Sequence, residues 1–197
     1  MTRVELEALA NKINDAVVQI SYRWQIFCQL YDSGPESIDA MNRRGSNVFQ
    51  LLQTLIIDDI VLSLARLTDK ASVGRNVNAS LPYLLDQASR YLDQNDHTIL
   101  EASLADLTRE VVRIRNHRNK ALAHVDLRSA LHADRLPRLT YDELESAMAK
   151  CKQFMSDLTA VLFGWSTHYD VLIPYGCDGA TLLKVLKAGN RSLDAVP

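Results

Sequence analysis

The segment Arg113-Ile-Arg-Asn-His-Arg-Asn-Lys-Ala-Leu-Ala-His124 holds a dense set of groups able to grip an anion and move a proton. A guanidinium binds an oxyanion through paired hydrogen bonds, and an imidazole titrates near neutrality. Residues 109–128 contain six Arg or Lys and two acids, Glu110 and Asp126, a local charge of +4. The whole chain carries 22 basic and 24 acidic side chains, a net charge of −2. Positive charge is therefore concentrated around His117 and His124 in an otherwise mildly acidic chain.

Helical periodicity orients these groups. On a helical wheel the apolar face of Leu107, Val111, Ile114, Leu122 and Val125 centres on Arg118. An arginine in a core stripe needs a carboxylate partner or a polar cleft. His117 and His124 share a face about 100–120° away, with Arg109, Arg113 and Lys120 along or beside it. Arg118 and His124 themselves differ by about 120°, so acting together requires a kink, a bulge or a second subunit. Asn is a poor helix former, and Asn116 and Asn119 mark the expected weak point. The two histidines lack the i, i+4 spacing of a chelating pair and no acid sits suitably between them, so no metal site is expected.

Carboxylates that could answer Arg118 stand on a strongly apolar helix. Asp58 and Asp59 have Leu55, Ile56, Val61 and Leu62 as helical neighbours. At least one acid should face protein, where it needs a cation or a proton. Arg66 and Asp69 are expected to form a structural pair at that helix's end, with a place in the site wall as the alternative. On residue pattern alone, a buried ion pair beside a solvated basic face competes with an anion-binding site.

Seven glycines and five prolines leave long uninterrupted intervals at 1–33, 46–73, 83–136 and 138–163. Such intervals suit helices and leave little room for hairpins. Apolar residues recur at spacings of three and four from Leu6 to Tyr31, and Asp32-Ser33-Gly34-Pro35 ends that helix. A short turn around Ile38 and Met41 precedes a helix over about 48–67, apolar nearly all round and expected inside a bundle. Ser80 and Pro82 open the next helix, which breaks at Asp96 or His97. A long helix then runs from about Ile99 towards Leu127. Thr140 and Glu143 form a capping box opening a helix to Gly164. An extended apolar tail over 171–176 and a short helix over 179–187 close the chain. The expected fold is all-α, an up-down bundle of four to five main helices over 1–170, with 171–197 as a C-terminal extended segment and short helix packed on it.

Composition narrows the function classes. Apolar residues make up 47% and charged residues 23% of 197, which excludes disorder as the dominant state. The uncharged runs 46–57 and 158–169 are a dozen residues each, too short for a membrane span of roughly 18 residues or more, so no membrane partner is expected. Cys28, Cys151 and Cys177 form no CxxC pair, and with the charged N-terminus they point to a cytoplasmic setting. No Walker A sequence, Rossmann glycine pattern, serine elbow or HExxH is present, and no cofactor is expected.

Arg118-Asn119-Lys-Ala-Leu-Ala-His124 resembles the signature of the HEPN superfamily: an arginine, a polar follower, and a histidine four to six residues on. Leu64-Ala-Arg-Leu-Thr-Asp69 and Ala123-His-Val-Asp126 resemble the abortive-infection AbiU-like branch, over roughly residues 10–170. The resemblance implies a metal-independent endoribonuclease, of the toxin or antiphage kind, acting through 2′-hydroxyl attack as a homodimer with paired Arg-x5-His motifs. It implies catalytic roles for Arg118, Asn119 and His124. RNA contacts would come from Arg113, Arg115, His117 and Lys120. An antitoxin partner fits the same resemblance. The alternative is a non-catalytic HEPN bundle that binds RNA, nucleotide or a partner protein. Some superfamily toxins carry a tyrosine two residues after the histidine as a modification site. Asp126 stands there in this chain, which speaks against that mode of control.

Overall fold

The computed structural model describes residues 1–123, 139–170, 173–174 and 176–194, with backbone alone at 121–123 and 193. The described residues are overwhelmingly helical: α1 is Arg3–Tyr31, α2 Pro35–Leu67, α3 Leu81–Ala88, α4 Gln94–Glu110, α5 Val112–His117, α6 Tyr141–Phe163 and α7 Gly179–Asp194. A two-residue hairpin, β1 Ser72–Val73 paired antiparallel with β2 Asn76–Val77, interrupts the loop after α2. The all-α expectation holds.

Local chemistry explains the boundaries. Gly34, at φ 86°, turns the chain between α1 and α2. The capping box opens α6 as expected: Thr140 Oγ1 accepts from Glu143 N–H at 3.3 Å, and Glu143 accepts from Thr140 N–H at 2.8 Å. Gly164, left-handed at φ 75°, ends α6. Several boundaries differ from the sequence reading, among them the long helix expected from Ile99 towards Leu127, which starts at Gln94 and breaks at Val111. The break before α4 comes earlier, as a 3₁₀ turn at Ser89–Tyr91, because Asp93 caps α4 by accepting from Asp96 N–H at 2.8 Å. The turn around Ile38 and Met41 is also no separate piece. It continues through a kink at Gly45, where a side chain would meet the Phe49 ring at about 3.1 Å.

Packing divides into two units, residues 1–18 with 61–169 and residues 19–60 with 170–197. In the first, α4 packs along α6 and α3 against α4. Phe154, Leu158, Leu107 and Leu64 are fully buried there. Burying each such side chain contributes about 1.5–3 kcal/mol. Lys150 on α6 is 2.8 Å from both Asp106 and Glu110 on α4, clamping the helices at their edge. In the second unit Leu30, Met41 and Leu183 form a small core with Ile26, Ile38, Phe49 and Leu186 around it. Tyr31 Oη donates to Phe49 O at 2.7 Å, and Asn190 Nδ2 to Ala40 O at 2.9 Å. The C-terminal helix is longer than expected, reaching Asp194, which accepts from Arg43 and Arg44 at 3.0 and 2.9 Å.

One expectation fails. The apolar helix over 48–67 is not buried throughout. Ile60, Val61, Leu64, Ala65 and Leu67 are in the core, but Val48, Leu51, Leu52 and Leu55 are exposed. Apolar periodicity shows what a helix could bury, not what stands opposite it. By length and composition alone α2 could cross a membrane, although its apolar stretch contains Asp58 and Asp59.

The Lys150 hydrogen bonds hold the Asp106 and Glu110 carboxyl groups below their ordinary pKa values of 3.8 and 4.5. A lowered carboxylate pKa stabilises above the unfolded value and is lost as pH falls through the folded one. Lys150→Met should therefore lower the melting temperature at pH 7. The deficit should shrink below about pH 4 and close once both acids are protonated. Thermal melts of both proteins from pH 7 to pH 2 check this; a constant deficit would show that the clamp acts through packing alone.

Candidate functional site

The basic segment begins where α4 ends. Val111, at φ −81° and ψ 2°, breaks the helix, and α5 restarts at Val112. Val111 and Ile114 are fully buried and pin α5 to the core of the first unit. Arg118 follows at i+7 and i+4 from these anchors, so it lies on the same face, as the wheel indicates. Its side chain is 23% exposed. From Arg118 to Ala123 the backbone widens into a π-helical turn. Such turns occur mostly as single widened turns and often at functional sites. This one coincides with the Asn-rich weak point.

The carboxylate that meets Arg118 is Asp69. Arg118 Nη2 donates to Asp69 Oδ1 at 3.0 Å, and Arg115 Nη2 lies 4.0 Å from the same oxygen. Asp69 sits two residues beyond α2, after Thr68, whose buried hydroxyl donates to Leu64 O at 2.8 Å. Asn78 then holds the following loop, donating through Nδ2 to Lys70 O at 2.8 Å. Two partly buried guanidinium groups thus share one carboxylate and leave a net positive charge. Burial lowers the Arg115 pKa below its ordinary value; Asp69 opposes that shift and the charge on Arg118 adds to it. Arg115 Nε and Nη2, Arg118 Nε and His117 Nδ1 are buried with no hydrogen-bond partner among the described residues. Buried donors in such number invite an acceptor.

The remaining charges are largely answered. Arg113 pairs with Glu143, the capping residue of α6, and Arg109 with Asp106 at 2.9 Å. Asn119 and Lys120 are exposed. His124, with Asp126, lies outside the described residues, so the arginine half of the Arg–His motif is placed and the histidine half is not. The expected pairing of Arg118 with Asp58 or Asp59 is not what forms. Asp59 pairs with Arg23 at 3.1 Å, and Asp58 makes no ion pair among the described residues. Arg66 is exposed and likewise makes no ion pair among the described residues, so Asp69 is released for Arg118. Among the described residues no group of three or more His, Cys, Asp or Glu could hold a metal ion.

Removing the shared carboxylate leaves two partly buried cations side by side. Asp69→Asn should destabilise the fold by about 1–3 kcal/mol, the cost of an unanswered buried group. Asp58→Asn should change it by less than about 0.5 kcal/mol. Urea unfolding monitored by circular dichroism compares the two; equal midpoints would remove Asp69 from the support of Arg118.

No curated protein and no solved structure matches the chain. A protein-family model described as AbiU2, of the HEPN type, matches residues 3–177. That span takes in α1 through α6, the Asp69 loop, Arg118 and His124. With the helical fold and the Arg118 segment in place, the match makes this chain a member of the AbiU2 family of HEPN proteins, the abortive-infection type.

Proposed function

We propose that this protein is a metal-independent endoribonuclease that cuts RNA through its own 2′-hydroxyl. The observation that carries the reading is the paired guanidinium site: Arg118, half-buried on a π-helical turn, beside Arg115, with buried nitrogens of both lacking acceptors among the described residues. That is a place for a phosphate. Asp69 engages one edge of Arg118 and aims the rest of the fork.

Each residue then has a task. Arg118 holds the scissile phosphate and stabilises the charge that builds on it. His124 takes the proton from the 2′-hydroxyl, whose oxygen attacks phosphorus. The bond to the 5′-oxygen breaks, and a second imidazole donates a proton to it, leaving a 2′,3′-cyclic phosphate and a 5′-hydroxyl. One chain offers one such histidine in its motif, so the second comes from a partner copy in a homodimer. Asn119 orients the imidazole or the phosphate. His117, Lys120, Arg113 and Arg115 line the path of neighbouring phosphates. The protein works in the cytoplasm, where RNA is at hand, and an antitoxin partner would restrain it between infections.

A second reading has its own support. Asp69 already engages Arg118 Nη2, and an arginine held by a carboxylate suits a bundle that binds RNA without cutting it.

The test is incubation of the purified full chain with structured RNA in excess EDTA. Cleavage to cyclic-phosphate ends should fall at least about 100-fold in His124→Ala and in Arg118→Ala, with helicity retained. Arg118→Lys serves where the alanine variant does not fold. The rate should depend on pH as a bell around the ordinary histidine range, about pH 6.5. RNA that is bound but left intact by the wild-type protein would favour the binding module.

A further inference from the structure

The loop that delivers Asp69 carries more positive charge than its hold on Arg118 requires. Asp69 is the one acid from residue 60 to residue 85, and Arg66, Lys70 and Arg75 flank it. Arg66 O accepts from Asp69 N–H at 3.3 Å, which keeps Arg66 within a turn of the carboxylate. All three cations are exposed, and none makes an ion pair among the described residues. Counted with Arg115 and Arg118, this corner sets five cations against one carboxylate. Between Lys70 and Asn78 the chain forms the β1–β2 hairpin. Gly74, at φ 62°, takes the first central position of its turn, where a two-residue type II′ connection calls for glycine. Asn78 closes the base, its N–H donating to Ala71 O at 2.9 Å and its Nδ2 to Lys70 O at 2.8 Å. Every residue from 72 to 77 is exposed, Val73 and Val77 by 62% and 61%. The hairpin therefore covers no core, and a bare two-stranded ribbon gains little stability by itself.

We propose that this hairpin is a binding arm for single-stranded RNA, in which Arg66, Lys70 and Arg75 take the phosphates next to the one at Arg118 and Val73 and Val77 pack on an unstacked base. The proposal rests on the RNA reading of the Arg118 site. Charge argues for a polyanion, because three cations lack an ion-pair partner among the described residues and no acid occurs from 70 to 85. Position argues for the same polyanion that reaches Arg118, since the hairpin grows directly from the carboxylate that holds Arg118. A strand rises about 3.3 Å per residue, so Lys70 at the base and Arg75 at the tip stand roughly 10 Å apart and meet different phosphates of one strand. The exposed valines argue for a single strand, because a base offers its apolar face only when it is unstacked. The arm makes and breaks no bond; it sets which stretch of strand lies on Arg118.

Binding of an RNA that cannot be cut separates the arm from catalysis. A 2′-O-methyl oligonucleotide of about 12 nucleotides, long enough for one such site, has no 2′-hydroxyl to attack phosphorus. Fluorescence anisotropy with the full chain across about 50–200 mM salt should give a linear dependence of log affinity on log salt. Lys70→Gln/Arg75→Gln should reduce that slope by about 1.4, two contacts at about 0.7 each, so its gap from wild type closes about sevenfold over that range. The charge-matched Lys12→Gln/Lys184→Gln should leave the slope unchanged. Val73→Ser/Val77→Ser should weaken single-stranded binding about fivefold at an unchanged slope and leave the binding of duplex RNA unaltered. Far-UV circular dichroism should match wild type throughout, because all of these side chains are exposed. A slope indifferent to the Lys70 and Arg75 changes, an equal drop in the control, or a duplex preferred to the single strand with the valine variant silent would overturn the proposal. A slope that falls as expected in a protein that leaves cleavable RNA intact removes the nuclease reading and keeps the arm. Cleavage retained with an unchanged slope does the reverse, and a protein that binds no RNA at all loses both.

Discussion

The guanidinium of Arg118 on the carboxylate of Asp69 is the contact on which the site depends. An arginine on the face of Val111 and Ile114 would be costly to hold without an acceptor. Asp69 supplies one from a loop that Thr68 and Asn78 hold in place. The carboxylate does not balance the charge, because Arg115 shares it. What remains is a positive, donor-rich corner at the edge of a packed core. A phosphate is the natural counterpart of such a corner: it is anionic, it accepts several hydrogen bonds, and it matches the guanidinium fork.

The break at Val111 and the π-helical turn after Arg118 belong to the same arrangement. A straight α-helix through this segment would drift its polar groups around the axis. Instead Val111 and Ile114 anchor a short helix, and the widened turn follows at once. The surrounding ion pairs use part of the local positive charge. Arg113 goes to Glu143, Arg109 to Asp106, and Lys150 closes the gap between α4 and α6. Among the described residues the surplus lies on Arg115 and Arg118, which share Asp69, and on exposed Lys120.

The two halves of α2 have different surroundings. Ile60, Val61, Leu64, Ala65 and Leu67 are core, whereas Val48, Leu51, Leu52 and Leu55 face outward. A helix uniform in composition is therefore not uniform in environment. The exposed half is free of charge yet bracketed by opposite charges.

Helix type and several ends were legible in the chain because they are local. The spacing of Leu6 to Tyr31, the Thr140–Glu143 box and Gly164 act on backbone groups within a turn or two. The orientation of Arg118 was legible for the same reason, since a wheel converts spacing into direction. Its partner was not. Asp58, Asp59 and Asp69 all satisfy the demand for a carboxylate, and which one arrives depends on how a loop beyond α2 is held against α5. The AbiU-like resemblance marked Asp69 without assigning it to Arg118. Burial of α2 was illegible too, for periodicity states what can be covered and only the packed neighbours decide what is. The chain by itself determined that there would be helices, where most of them stop, and which arginine would need an answer; tertiary structure alone chose the acid that answers and the stripe left open, because contacts distant in sequence are set by packing geometry and not by local pattern.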